Sequence, residues 1–280
     1  MTSISLPIIG QGSQPAEADG FELNYPVMPE AMMIYRMPEV SADLNDVELA
    51  PAKQVLQTLL QALVAYPNAD AQIDLSHCDE RNRRFLAELL GEGEVSIVGL
   101  NGAIRIQESV LAGVWRVQQL SGTTLVADYL EIGAIPSFVK TVFSTAADSI
   151  NADNSQLPSG VMNAPALLTE LNAQIKTYVL EQSEHVINLS LLPQTEQDLL
   201  FLEQRLGGGQ VTILSRGYGN CRITATATRY VWWVRYFNSQ DTLILNTLEV
   251  SAVPNVACAS AEDIADSCER LQEILKLYDA

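Results

Sequence analysis

The apolar positions of this chain fall into one pattern that occurs twice. In FLAELLGEGEVSIV (Phe85 to Val98) apolar residues recur at helical spacing, a Gly-x-Gly follows, and a short β-type run closes the stretch. FLEQRLGGGQVTIL (Phe201 to Leu214) does the same in the same order. Upstream, IDLS (Ile73 to Ser76) matches INLS (Ile187 to Ser190); downstream, VWRV (Val114 to Val117) matches VWWV (Val231 to Val234). Last comes an echo of seven residues, LEIGAIP (Leu130 to Pro136) against LEVSAVP (Leu248 to Pro254). The separations between partners drift only from 114 to 118 residues, as small loop insertions produce. Two long repeats mean paired modules, not a solenoid.

Each repeat predicts the same elements. A first helix spans Gln54 to Ala65 in one copy and Ala166 to Val179 in the other. The IDLS or INLS strand follows, then a second helix, capped by Asp79 in the first copy and by Thr195 with Asp198 in the second. Gly91 and Gly207 stand where a helix ends in a left-handed residue, and Gly93 and Gly209 where the chain turns sharply into the next strand. Three strands are expected next. In the second copy they are Gln210 to Ser215, a long pair running from Cys221 to Thr228 and Arg229 to Phe237, and Leu243 to Val253. Pro136 and Pro254 stop the exit strands, where a missing N–H does least harm. A closing helix ends each copy, the second opened by Ser260 and Asp263. The expected fold is α+β: two tandem, internally duplicated modules, each an antiparallel sheet with packed helices. The expected division is a Pro/Met-rich arm over 1–50, module 1 over 51–143, a linker over 144–165 and module 2 over 166–280. MPEAMMIYRMPEV (Met28 to Val40) places four of the six methionines between prolines, which fits either a segment packed on the first module or an adaptable arm.

The composition narrows the function. Hydrophobic residues make up 48% of the 280, ample for packed cores. The net charge of −18 disfavours nucleic acid and anionic membranes, whose binding depends on Lys and Arg. No signal peptide and no membrane-spanning helix is read in the chain, so a cytoplasmic protein without membrane insertion is expected. The four cysteines (Cys78, Cys221, Cys258, Cys268) and two histidines (His77, His185) lack the spacing of zinc or iron–sulfur sites, so no cofactor is expected. Free, mostly buried thiols in a reducing compartment are the plain reading. Neither GxSxG, HExxH nor a P-loop occurs. Two alternatives stay open. One is a redox or thiol enzyme using His77 and Cys78 of IDLSHCDE; the other is a transient iron or Fe–S carrier using cysteines gathered by folding.

RYVWWVRYF (Arg229 to Phe237) is the most unusual stretch. As a strand it puts Arg229, Val231, Trp233, Arg235 and Phe237 on one face and Tyr230, Trp232, Val234 and Tyr236 on the other. Core packing, a protein interface and a nucleic-acid surface are all readings of such a strand, and the charge argues against the last. Trp115, Arg116, Tyr218, Arg229, Trp232, Trp233 and Arg235 are the candidate partner-binding residues. The two glutamates of the echo, Glu131 and Glu249, are expected to be solvated.

Several separated motifs resemble the HupH/HyaF-type hydrogenase expression/formation proteins. GQGSQP (Gly10 to Pro15) is similar to the family's Gly-x-Gly-Ser/Thr-Gln-Pro opening, with Gln11 where proline is common. LLGEGEVSI (Leu90 to Ile97) with GVWRV (Gly113 to Val117), LPSGVMNAPALLTEL (Leu157 to Leu171) and GYGNCRITATATRYVWWVR (Gly217 to Arg235) resemble its later signatures, although the Trp233 position varies. The resemblance implies a non-catalytic assembly chaperone for the small, iron–sulfur subunit of nickel–iron hydrogenases. Such a protein holds the precursor during cluster insertion and limits oxygen damage before export. The implied partners are that precursor and other maturation proteins of thioredoxin-like or rubredoxin-like type.

Overall fold

In the computed structural model the described residues are 47–68, 71–217 and 219–279. The Met28 to Val40 stretch, the GQGSQP motif and Tyr218 lie outside them. The first repeat forms α1 (Ala50–Ala65), β1 (Gln72–Asp74), α2 (Glu80–Leu90), β2 (Val95–Gly99), β3 (Ile104–Glu108), β4 (Val114–Ser121), β5 (Thr124–Ile132) and the four-residue α3 (Ser137–Lys140). The second forms α4 (Ala164–Glu181), β6 (His185–Asn188), α5 (Glu196–Leu206), β7 (Gly208–Ser215), β8 (Asn220–Thr226), β9 (Val231–Phe237), β10 (Leu243–Val250) and α6 (Ala261–Asp279). Four strands, not three, follow the Gly-x-Gly of each repeat. The extra break precedes Val231: Tyr230 turns the chain at φ +65°, and the rings of Phe143 and Tyr178 hold it there.

The ten strands of the described residues make one antiparallel sheet, in the order β1-β5-β4-β3-β2-β7-β8-β9-β10-β6. This order is a palindrome of the two repeats. Its centre is the β2–β7 pair, where Ile97 lies opposite Ile213, its own counterpart in the other copy. The duplication therefore folds as an internal twofold dimer, each residue of the seam facing the equivalent position in reverse, as in an isologous interface.

The two faces of the sheet are covered differently. On one face a single core runs across the pseudo-dyad through Ile97, Ile106, Trp115, Ile213, Ile223 and Trp232. On the other face there are two separate cores. One joins α1, α2 and α6 to Leu130 and Val114; the other joins α4 and α5 to Leu248 and Trp233.

The segments after the exit strands are exchanged. Helix α6 belongs to the second repeat, yet Ile264, Leu271 and Leu275 pack in the first repeat's core. The stretch after α3 crosses the other way. Phe143 meets Trp232 edge-on, with ring centroids 5.0 Å apart, and Ile150 packs with α4. Ala147 bonds Ala227 and Arg229 through its backbone. The expected linker over 144–165 thus carries core contacts, and no break in the sheet corresponds to it. Only the second repeat ends in a long helix; the first ends in the short α3.

Candidate functional site

Helix starts show how one repeat explains the other. Asp198, fully buried, accepts backbone N–H bonds from Met162, Asn163 and Ala164 at the start of α4 and from Thr195 at the start of α5. Asn82 has the matching place in the first repeat: its Oδ1 accepts from Ala52 in α1 while its amide reaches Asp79, the cap of α2. The Met162-Asn163-Ala164-Pro165 motif is thus the rim of a carboxylate cage. Burial alone raises a carboxyl, but the N–H groups of Ala164, Thr195, Met162 and Asn163 outweigh it and hold Asp198 below its ordinary value.

The glycines answer to geometry. Gly91 (φ +55°, ψ −165°) and Gly207 (φ +64°, ψ +167°) end α2 and α5 in the extended positive-φ region, more restrictive than the left-handed helical one. A Cβ on Gly93 would run into the carbonyl of Ser109, and one on Gly209 into that of Ala225.

The seven-residue echo also has a physical answer. Trp115 Nε1 donates to the carbonyl of Gly133 at 2.8 Å, and Trp232 Nε1 to those of Ser251 and Ala252 at 3.3 Å. Each indole ties the end of an exit strand to its neighbour. Pro136 and Pro254 stand four residues past the strands, each starting the next turn through its carbonyl, which accepts from Val139 and Ala257. The glutamates are not solvated alike. Glu131 is buried and accepts from Ser137 N, Ser137 Oγ and Gln72 Nε2. Glu249 is half-buried, raised by burial, and lines a hollow of about 170 Å³ with Glu184, His185 and Tyr236.

Of the candidate partner-binding residues, Trp115 and Trp232 are at 0% exposure and Trp233 at 7%. They are core residues, because helices cover one face of the aromatic strand and the exchanged segment covers the other. Arg116 and Trp233 hold equivalent positions with coupled partners. Arg116 makes a two-pronged bond to Asp128 at 2.9 and 2.7 Å, and Trp233 donates to Asn246 at 2.5 Å. Arg229 pairs with Asp148 at 3.1 Å. Arg235, half-buried, stacks over Trp233 at 4.9 Å.

The thiol reading meets an obstacle. Cys78 is 1% exposed inside the first helical core, where burial raises its pKa, while His77 on the same turn is exposed. A thiolate paired with imidazole needs the opposite environment. Burial likewise pushes Cys221 up to about 12 and Cys258 up to about 11. Among the described residues no group of three or more His, Cys, Asp and Glu could hold a metal ion, and no helix is long and apolar enough to cross a membrane.

Glu108 is a buried acid that the periodicity did not single out. It is 6% exposed, accepts from Gly113 N at 3.2 Å, and burial pushes it to about 7 from 4.5. Between those values the folded chain keeps a proton that the unfolded chain has released. This acid's contribution to stability is therefore full below about 4.5 and lost as pH rises through about 7, a change of about 3 kcal/mol. Glu108→Gln is expected to raise the melting temperature above neutral pH and to leave it nearly unchanged in acid. Equal shifts at both ends would contradict this.

The model of the HupH hydrogenase expression protein C-terminal conserved region matches twice, over residues 49–157 and 161–278. The chain belongs to the HupH hydrogenase expression protein family. The two matches to the HupH region coincide with the two halves of the sheet. The chain is 44% identical to the hydrogenase expression/formation protein HoxQ of Cupriavidus necator, over 99% of this chain and 98% of the other. It is 43% identical to HupH of Rhodobacter capsulatus (99% and 98%) and 31% identical to the hydrogenase-1 operon protein HyaF of Escherichia coli (98% and 96%). A solved HupH structure from Thiobacillus denitrificans, 30% identical, covers 42% of this chain and 97% of its own, with a TM-score of 0.38.

Proposed function

We propose that this HupH-family chain is a non-catalytic accessory protein of nickel–iron hydrogenase maturation that holds the precursor of the small, iron–sulfur subunit before assembly. The reading is carried by near full-length similarity to proteins named for hydrogenase expression and formation. The site supports it in two ways. The one adjacent Cys–His pair is split between core and solvent, and the aromatic and carboxylate residues that stand out in sequence are taken up by internal hydrogen bonds. The surroundings of this work are the cytoplasm, and the other partners are further maturation proteins.

Deleting the gene in a hydrogenase-producing host is expected to abolish most hydrogenase activity and to leave unprocessed small subunit, measured by hydrogen-dependent dye reduction and immunoblotting. Restored activity from a copy carrying both His77→Ala and Cys78→Ala would support the non-catalytic reading. Unchanged activity in the deletion strain would refute the maturation role.

A further inference from the structure

The two repeats part company beside the glutamate of the echo. Glu131 is supplied with donors from within. Gln72, directly opposite it on β1, donates at 2.6 Å. Ser137, just past Pro136, donates through its backbone N–H at 2.9 Å and its hydroxyl at 2.7 Å. In the second repeat the residue opposite Glu249 on β6 is Val186, which carries no donor on its side chain and is 55% exposed. The residue past Pro254 is Asn255, whose side-chain amide turns to Glu184 at 3.5 Å. Thr247 donates to Glu249 at 3.0 Å, and among the described residues no counterpart of the Gln72 and Ser137 bonds exists. Where those two side chains fill the first repeat, the second has the hollow of about 170 Å³.

Glu184 and Glu249 both line that hollow, and neither has a cationic partner among the described residues. His185, in the same wall, is turned to Glu170 at 3.0 Å. Lys140, whose charge acts on Cys258, pairs with neither glutamate. Ser251 is also in the wall, at 4% exposure, and its hydroxyl has no hydrogen-bond partner among the described residues. Burial raises the Glu249 carboxyl, the Thr247 hydroxyl lowers it in part, and the charge of Glu184 raises it again. A cation between the two carboxylates offsets both costs. β6 is the last strand of the sheet and, among the described residues, pairs with β10 alone, so its outer edge offers backbone groups to an added strand. We propose that this end of the sheet takes an extended, basic segment of a partner protein, which adds to β6 and sets one arginine or lysine side chain between Glu184 and Glu249, its aliphatic stem on Val186. The net charge of −18 favours the approach of such a segment. The proposal stands on the difference between the repeats and adds a partner chemistry to the accessory reading. It is measured on the purified chain, so its failure leaves the maturation role standing.

The test is fluorescence anisotropy of the full chain with a labelled peptide of alternating valine and arginine, beside a valine–glutamate peptide, and with N-acetylarginine amide as competitor. The basic peptide should bind, and should weaken about tenfold in Glu249→Gln. Val186→Gln/Asn255→Ser, which gives the second repeat the donors of the first, should fill the hollow and lose binding to the same extent. Glu269→Gln/Glu273→Gln, at exposed positions on α6, should bind like the parent. Glu184→Gln alone, at an exposed position, keeps the test decisive if the other variants are unstable. Binding unchanged by Val186→Gln/Asn255→Ser and by Glu184→Gln, an equal loss in the α6 variant, or equal binding of the valine–glutamate peptide would overturn the proposal. So would N-acetylarginine amide binding as tightly as the peptide, since the site would then take a small cation and not a segment.

Discussion

Replacing Trp232 with alanine is expected to destabilise the chain by about 3–5 kcal/mol, read from equilibrium denaturation. The side chain is at 0% exposure in the core that crosses the pseudo-dyad. Three losses act together. The indole volume is vacated, the edge contact with Phe143 disappears, and the carbonyls of Ser251 and Ala252 lose their donor. Phe143 comes from the first repeat, so the lost contact is also one that fastens the exchanged segment. Trp115→Ala should cost a similar amount through Gly133. Trp232→Phe should cost less, since it keeps most of the volume and loses the hydrogen bonds. A cost below about 1 kcal/mol for Trp232→Ala would contradict the core role, because surface changes give values of that size.

Asp198→Ala is expected to cost about 3–5 kcal/mol, because the backbone N–H groups of Met162, Asn163, Ala164 and Thr195 then face a buried site without an acceptor. Asp198→Asn should be much milder, since a carbonyl oxygen remains and Asn82 performs this work in the first repeat. The pH dependence has a definite sign. The folded carboxyl lies below the unfolded value of 3.8, so its stabilisation is present above 3.8 and lost as pH falls through the lower folded value. Acid unfolding followed by circular dichroism should therefore show a shallower loss in Asp198→Asn than in the parent. Identical acid profiles would contradict the cage.

The repeat, the caps Asp79 and Thr195 and the helix-ending glycines were legible because each rests on a local pattern of a few residues. The sheet order was not. Pairing of β2 with β7 joins residues 116 apart, and only the likeness of Ile97 to Ile213 hints at a self-complementary seam. The exchange of α6 was hidden because swapped and unswapped tails have the same sequence. Trp115 and Trp232 looked suited to an interface, since alternation assigns a side chain to a face but does not say what covers it. Glu131 looked solvated because the contacts that bury it, with Ser137 and Gln72, are set by tertiary structure.

The most direct measurement is co-purification from hydrogenase-producing cells, using the tagged full chain beside a tag-only control, with mass spectrometry of the retained proteins. The account predicts enrichment of the hydrogenase small-subunit precursor by the tagged chain over the control. Recovery of no hydrogenase subunit by the folded parent would contradict it.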